Sequence, residues 1–278
     1  MRKMFFRIFA IFEKYFRLHI LPVHFYSPIP SAEDIARHDG DRMRECKGIE
    51  FNEAKQLAWA ETELSAMHRE FEPYSNTGLS KLDSLLLYTF IRTTRPKKMV
   101  EIGSGQSTLI ALKALKVNAE EGYECEFTAV EPYPSQFLLD ISDSFFTLLK
   151  SKVQDVPVTR FSDVDLLFID SSHVSKFGSD VNYEILEILP SLKVGAYIHW
   201  HDIVIPCDYP LFWLKRGYFW TESYLLETFL SFNSSFEIQW ASKYMQTQRL
   251  SELAEIFNFV DVNDPTEQNS SFWIKRTK

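Results

Sequence analysis

The 278-residue chain is 45% hydrophobic and 15% aromatic, which suits one large α/β domain with a modest extension. A formal charge of −8 works against nucleic acid as a default partner, because phosphate binding wants a basic face. Cys46, Cys125 and Cys207 are far apart and odd in number, which argues against a disulfide framework and points to a reducing cytoplasm.

The N-terminal stretch MRKMFFRIFAIFEKYFRLHILP has the look of a signal peptide. Arg7, Glu13, Lys14 and Arg17 interrupt its apolar run, and no small-residue cleavage site follows. It is also too short and too charged to span a bilayer. Phe5, Ile8, Phe9, Phe12 and Phe16 fall on one helical face, with Arg2, Lys3, Arg7, Lys14 and Arg17 around it. Such a helix over residues 1–21 suits the surface of a membrane. It equally suits packing on its own domain or on a second copy of the chain.

Residues 22–48 hold Pro22, Pro28, Pro30 and Gly40 among polar residues and are expected to be largely irregular. A helix is expected over 52–70, a break over 73–78, and a second helix from Leu79 to Thr93 ended by Pro96. Ser80 and Asp83 there have the spacing of a capping box. From Lys97 short apolar runs alternate with helical stretches. KKMVEIG, EFTAVE, KSKVQ, VDLLFID, GAYIHWHD, FEIQWASKY and SFWIKR read as strands. The stretches from Ser107 to Leu115, Ser135 to Ile141, Asp180 to Leu189 and Thr221 to Phe232 read as helices. This alternation predicts a doubly wound α/β fold with a mostly parallel sheet. The expected division is a helical and irregular extension over 1–78 and a ligand-binding domain over 79–278. Ligands of such sheets sit at the carboxyl ends of the strands, near the point where strand order reverses.

The first strand runs into Glu101-Ile102-Gly103-Ser104-Gly105-Gln106-Ser107-Thr108. Two glycines between strand and helix let the backbone turn sharply and approach a ligand. The third glycine of the dinucleotide fingerprint is missing, since position 108 is Thr. Glu101 ahead of the turn suits a cationic ligand better than a pyrophosphate. Glu131, after the second strand, can accept from both hydroxyls of a ribose. Asp155, after the third, can take an adenine amino group.

In this order, VEIGSGQST, AVEPYP, VDLLFIDSSHV and GAYIHWHDI resemble the class I methyltransferases that use S-adenosylmethionine (SAM). HFYSPIP at 24–30, DYP at 208–210 and the final SFWIKR are similar to a bacterial branch that tailors glycans and antibiotic sugars. The resemblance spans roughly 24–276. It implies a Rossmann-like, seven-stranded sheet with the last strand antiparallel, and SAM as methyl donor. It implies that Gly103, Gly105, Glu131 and Asp155 hold SAM; Glu101, Ser107 and Asp170 are further candidates for cofactor binding at these strand ends.

Asp170 ends the fourth strand, with His173 just after it; His201 and Asp202 end the fifth. Adjacent strand ends bring these four residues to the place where the methyl points. Two chemistries fit. Asp170, His201 and Asp202 can hold Mg²⁺ or Mn²⁺, which would lower the pKa of an acceptor hydroxyl and orient it. Alternatively, His201 or His173 acts as general base, oriented by Asp202 or Asp170. The aromatic stretch Tyr209, Phe212, Trp213, Tyr218, Phe219 and Trp220 suits a lid that excludes water or a platform for a sugar ring. The expected activity is O-methylation of a hydroxyl on a sugar, glycan or related small molecule. The alternatives are a SAM- or nucleoside-binding module without turnover and an NAD-linked oxidoreductase, the latter disfavoured by Glu101 and Thr108.

Overall fold

Seven strands, each four to six residues long, form one sheet in the order β3-β2-β1-β4-β5-β7-β6. They are β1 (Lys98–Ile102), β2 (Glu126–Val130), β3 (Phe146–Leu149), β4 (Leu166–Ile169), β5 (Tyr197–Trp200), β6 (Phe236–Ala241) and β7 (Phe272–Arg276). The pairs from β3 through β5 are parallel, and β7 runs antiparallel between β5 and β6. The computed structural model describes residues 2–39, 42–71, 78–257 and 269–278, and in 2–7 the backbone alone. The break expected over 73–78 lies, up to residue 77, outside the described residues.

Period-two alternation divides each central strand between two cores. On one face lie Val100, Ile102, Leu167, Ile169, Ile198, Trp200 and Ile274. On the other lie Met99, Phe127, Leu166, Phe168 and Trp273, packed against the helices Lys81–Thr94 and Ser107–Glu120. Both faces are therefore covered, which is why β4 reads as an unbroken apolar run. Every residue of the helix Lys81–Thr94 from Leu82 to Arg92 is buried. Its Phe90 ring stacks on Trp273 at 3.9 Å, a contact in which truncating either ring costs about 3–5 kcal/mol.

Some boundaries differ from the sequence reading. The third strand is Phe146–Leu149 rather than KSKVQ, whose Val153-Gln154-Asp155 forms a 3₁₀ turn. In FEIQWASKY the strand stops at Ala241 and a helix Ser242–Gln248 follows. The helical stretch from Asp180 runs past Pro190 to Ser191, because Pro190 sits in the first turn of the segment Leu189–Ser191, where its missing N–H costs least. Short helices at Ala32–Ala36, Leu211–Lys215 and Leu250–Ile256 were not expected from periodicity.

The chain divides into two compact units: Met1–Gly40 with Pro210–Phe219, and Asp41–Tyr209 with Trp220–Lys278. The segment Glu53–Met67, which contains a π-helical stretch over Ala60–Leu64, belongs to the sheet's unit. There the Gln56 side chain accepts from the Ala241 N–H at 2.9 Å, and Trp59 stacks on Phe90. The sheet's unit thus begins well before residue 79.

Candidate active site

Strand order reverses between β1 and β4, and the carboxyl ends of β1, β2 and β4 open into a cleft of about 440 Å³. Gly103, Glu131, Gln154, Asp170 and Asp180 are among the residues that line it. Gly103 has φ +78°, and a Cβ there would lie 1.8 Å from the Asp170 carbonyl oxygen. Glycine is required both by the left-handed backbone and by the close passage of the two strand ends.

Glu101 does not face this cleft. Strand alternation places it on the side of Met99, under the helix Ser107–Glu120, where it is completely buried. Ser107 Oγ and Thr108 Oγ1 donate to its two oxygens at 2.6 Å each. Burial pushes its carboxyl up to about 7 against those two hydrogen bonds. Glu101 and Ser107 thus brace the glycine turn from behind. Position 108, where the fingerprint glycine is absent, is the second brace. Glu131 lines the cleft and accepts from the Tyr133 N–H at 2.7 Å. Asp155 is exposed, and the cleft wall at its turn is made by Val153 and Gln154. Gln154 Nε2 donates to the Gly178 carbonyl at 3.0 Å.

The ends of β4 and β5 carry a second, drier cluster. His173, with φ +60°, places Nε2 3.3 Å from Asp170 Oδ1 and 3.6 Å from Asp202 Oδ2. Its Nδ1 lies 2.8 Å from Glu222 Oε2. The His173 carbonyl accepts from the N–H groups of Thr221 and Glu222, at the start of the helix Glu222–Leu230. Glu222 therefore fixes the imidazole orientation and leaves Nε2 for the carboxylate pair. Trp220 closes this side, its ring centroid 4.4 Å from that of His173.

His201 is the counterpart from β5. Its Nδ1 lies 3.5 Å from Asp202 Oδ1 and 3.9 Å from Asp170 Oδ1; its Nε2 lies 3.7 Å from Asp83 Oδ2. Ser270 Oγ donates to Asp202 Oδ1 at 3.0 Å, while the Ser270 N–H donates to Asp83 at 2.8 Å. Asp83 is the half-made capping box. Ser80 Oγ accepts from the Asp83 N–H at 2.9 Å, but the Asp83 carboxylate turns inward to Ser270, Ser271 and Ser242. His199 stays out of the cluster. It stacks on Phe168 and meets Ser271 Oγ at 3.1 Å, and burial followed by the charge of His201 holds its pKa well below 6.5.

The electrostatics are lopsided. Asp83, Asp170, Asp202 and Glu222 surround two imidazoles. Burial opposes charging of His173, but Asp170 and Glu222 outweigh it and raise its pKa well above 6.5. Burial likewise opposes charging of His201, yet Asp202 and Asp83 lift it to about 9. Burial works to raise Asp170, and the hydrogen bond from His173 and the charge of His201 hold it below the usual carboxylate range. Burial pushes the Glu222 carboxyl above its usual range, against the hydrogen bond with His173; the carboxyl groups gathered at the ends of β4 and β5 favour a cationic ligand there.

All four residues expected at the reactive end are thus together. The set suited to a metal differs from the expected one. One ligand atom each from Asp170, His173 and Asp202 lies within 4.8 Å of the others. His173 takes the place expected of His201, whose Nε2 is turned toward Asp83. Glu222 and Asp83 were not singled out from sequence, because their partners lie 49 residues away or more, and only the Ser80–Asp83 spacing gave any signal.

A doubly wound sheet with a glycine turn after β1, an acid after β2 and acid–imidazole clusters after β4 and β5 is the frame of a nucleoside-binding α/β enzyme. Comparison with known proteins narrows the class. Residues 100–203, from β1 to the loop after β5, match the family model described as a methyltransferase domain. An uncharacterized protein of Archaeoglobus fulgidus is 34% identical over 167 residues, covering 54% of this chain and 72% of that one; the chain belongs to the same family. Among solved structures, the chain is similar to the methyltransferase PaMTH1 of Podospora anserina, bound to SAH. That match has 16% identity and a TM-score of 0.48, and covers 94% of this chain and 100% of the other. It is also similar to the O-methyltransferase TomG of Streptomyces achromogenes in complex with SAM. Here identity is 13% and the TM-score 0.43, over 79% of this chain and 90% of the other.

Proposed function

We propose that the chain transfers the methyl group of SAM to a hydroxyl of a sugar, glycan or related small molecule, with a divalent cation held by Asp170, His173 and Asp202. The observation that carries this reading is the Glu222–His173 pair. Metal-bound histidines commonly give their other ring N–H to a carboxylate, which fixes tautomer and aim. His173 has that arrangement, with Nε2 facing two further carboxylates.

In this reading Glu131 accepts from the ribose hydroxyls of SAM, and Gly103 allows the nucleoside close to the strand ends. The carboxyl groups at these strand ends favour both a dication and the sulfonium of the donor. A cation, when bound, would supply Lewis acidity that lowers the pKa of the acceptor hydroxyl. The acceptor oxygen forms its bond to the methyl carbon as the carbon–sulfur bond breaks; S-adenosylhomocysteine leaves, and the hydroxyl proton passes to a neighbouring carboxylate, Asp170 or Asp202, and on to solvent. Trp220 offers a flat apolar face beside the reaction centre, suited to a sugar ring. A second reading rests on His201 Nδ1 facing Asp170 and Asp202: His201 Nδ1 as base without a metal, a role that its pKa of about 9 confines to alkaline pH.

The test is calorimetric titration with S-adenosylhomocysteine in chelator and then in Mg²⁺ or Mn²⁺, followed by transfer of labelled methyl to a panel of hydroxylated sugars. Binding should weaken roughly tenfold or more in Glu131→Ala, the loss of one or two hydrogen bonds to a charged acceptor. Turnover should fall about a thousandfold in chelator and return with metal. Turnover indifferent to chelator would select the His201 base. Failure to bind S-adenosylhomocysteine under any condition would remove the proposal.

A further inference from the structure

None of the residues named for the site above lies in the unit Met1–Gly40 with Pro210–Phe219. The chain as a whole is acidic, with 38 Asp and Glu against 30 Lys and Arg. Residues 2–26 reverse that balance, with Arg2, Lys3, Arg7, Lys14 and Arg17 against Glu13 alone. Residues 8–26 are unusually apolar for a surface. In the helix Arg2–Phe16, Ile8, Ile11 and Tyr15 recur at three- and four-residue steps and are exposed, Tyr15 at 68%. Glu13 points to the opposite side of the turn, while Lys14 flanks this face with its Nζ 5.2 Å from the Tyr15 ring centroid. Beyond the helix, Leu18, Ile20, Leu21, Val23, Phe25 and Tyr26 are all exposed, Phe25 at 87%. A run of exposed large apolar residues of this length marks an interaction surface. The second segment of the same unit, Pro210–Phe219, adds exposed Phe212 and Tyr218 beside Lys215 and Arg216.

We propose that this basic, aromatic unit docks on the surface of an anionic lipid bilayer, with its helix lying in the interface. Charge complementarity chooses the partner. A bilayer with anionic headgroups meets both the apolar side chains and the surplus of cations. A second copy of the unit, paired face to face by a two-fold axis, would set like charges against each other. The helix is roughly 22 Å long at 1.5 Å per residue, and no described helix is long and apolar enough to cross a membrane. The expected mode is therefore association with one leaflet.

The experiment is co-sedimentation of the full chain with vesicles of phosphatidylcholine alone and with 30% phosphatidylglycerol, at low and at high salt, alongside sedimentation velocity without lipid. The protein should pellet with the anionic vesicles and stay in solution with the neutral ones. Lys14→Glu combined with Arg17→Glu should weaken partition at least roughly tenfold, and salt should weaken it further. Ile11→Asp with Phe25→Asp should abolish pelleting, while unchanged binding of S-adenosylhomocysteine shows that the sheet's unit is intact. Recovery in the supernatant with every vesicle would overturn the proposal. So would a dimer without lipid that Ile11→Asp dissociates, since the face would then belong to a second copy.

Discussion

The cleft at the glycine turn and the acid–imidazole cluster that meets it at Asp170 are two ends of the candidate site built on different plans. At the nucleotide end, the tips of β1, β2 and β3 offer backbone turns and single side chains held by near neighbours: Glu101 by Ser107 and Thr108, Glu131 by the Tyr133 N–H. At the reactive end, the tips of β4 and β5 carry side chains held from far along the chain: His173 by Glu222, Asp202 by Ser270, His201 by Asp83. In the proposed function a nucleoside is recognised by a short, locally encoded turn. A cluster of like-charged carboxylates has to be assembled by the whole fold, because no local segment would hold such groups together against their repulsion.

The comparison breaks most sharply at Gly103, where the two ends touch. Gly103→Ala would drive a methyl into the Asp170 carbonyl and force L geometry on a backbone with φ +78°. A loss of about 3–4 kcal/mol is expected in denaturant unfolding, together with weaker S-adenosylhomocysteine binding. A stable variant with intact binding would show that the strand ends can separate, and that the ends do not depend on each other.

Glu101→Gln isolates the local brace. The folded-state pKa of Glu101 is raised to about 7 from an ordinary 4.5. Its contribution is therefore most favourable below pH 4.5 and declines as pH rises to about 7, where the folded carboxyl also ionises. The wild type should lose up to about 3 kcal/mol across that window relative to Glu101→Gln. Parallel stability–pH curves for the two proteins would mean that the brace is solvated and not dry.

The long-range plan is probed most gently at Glu222. Glu222→Gln keeps the shape but not the charge behind His173. Turnover and metal affinity should fall about 10- to 100-fold, with S-adenosylhomocysteine affinity unchanged. Equal losses in turnover and S-adenosylhomocysteine affinity would mean that the two ends are one coupled network.

How far the sequence reaches follows the same division. The seven-stranded, doubly wound sheet was legible because alternating short apolar runs and helical stretches admit few topologies, and Gly103, Glu131 and Asp170 fall at strand ends whatever the packing. The third strand was misplaced. Phe146–Leu149 lies near the sheet's edge and is only half-buried, so its hydrophobic pattern is weak. Asp155 looked like a ligand from its position after a strand, yet the 3₁₀ turn presents Val153 and Gln154 to the cleft and leaves Asp155 exposed.

By itself the sequence determined the fold, the glycine turn, and the four residues His173, His201, Asp170 and Asp202 at adjacent strand ends. These follow from periodicity, chain order and the rule that parallel strands present their carboxyl ends together. Only the tertiary structure decided that Glu101 faces inward, that His173 rather than His201 completes the trio with Asp170 and Asp202, and that Glu222 and Asp83 stand behind the imidazoles. Glu101 turns to near neighbours, but only packing shows that its side of the turn is closed; the imidazoles turn to partners dozens of residues away or more, which no local pattern records.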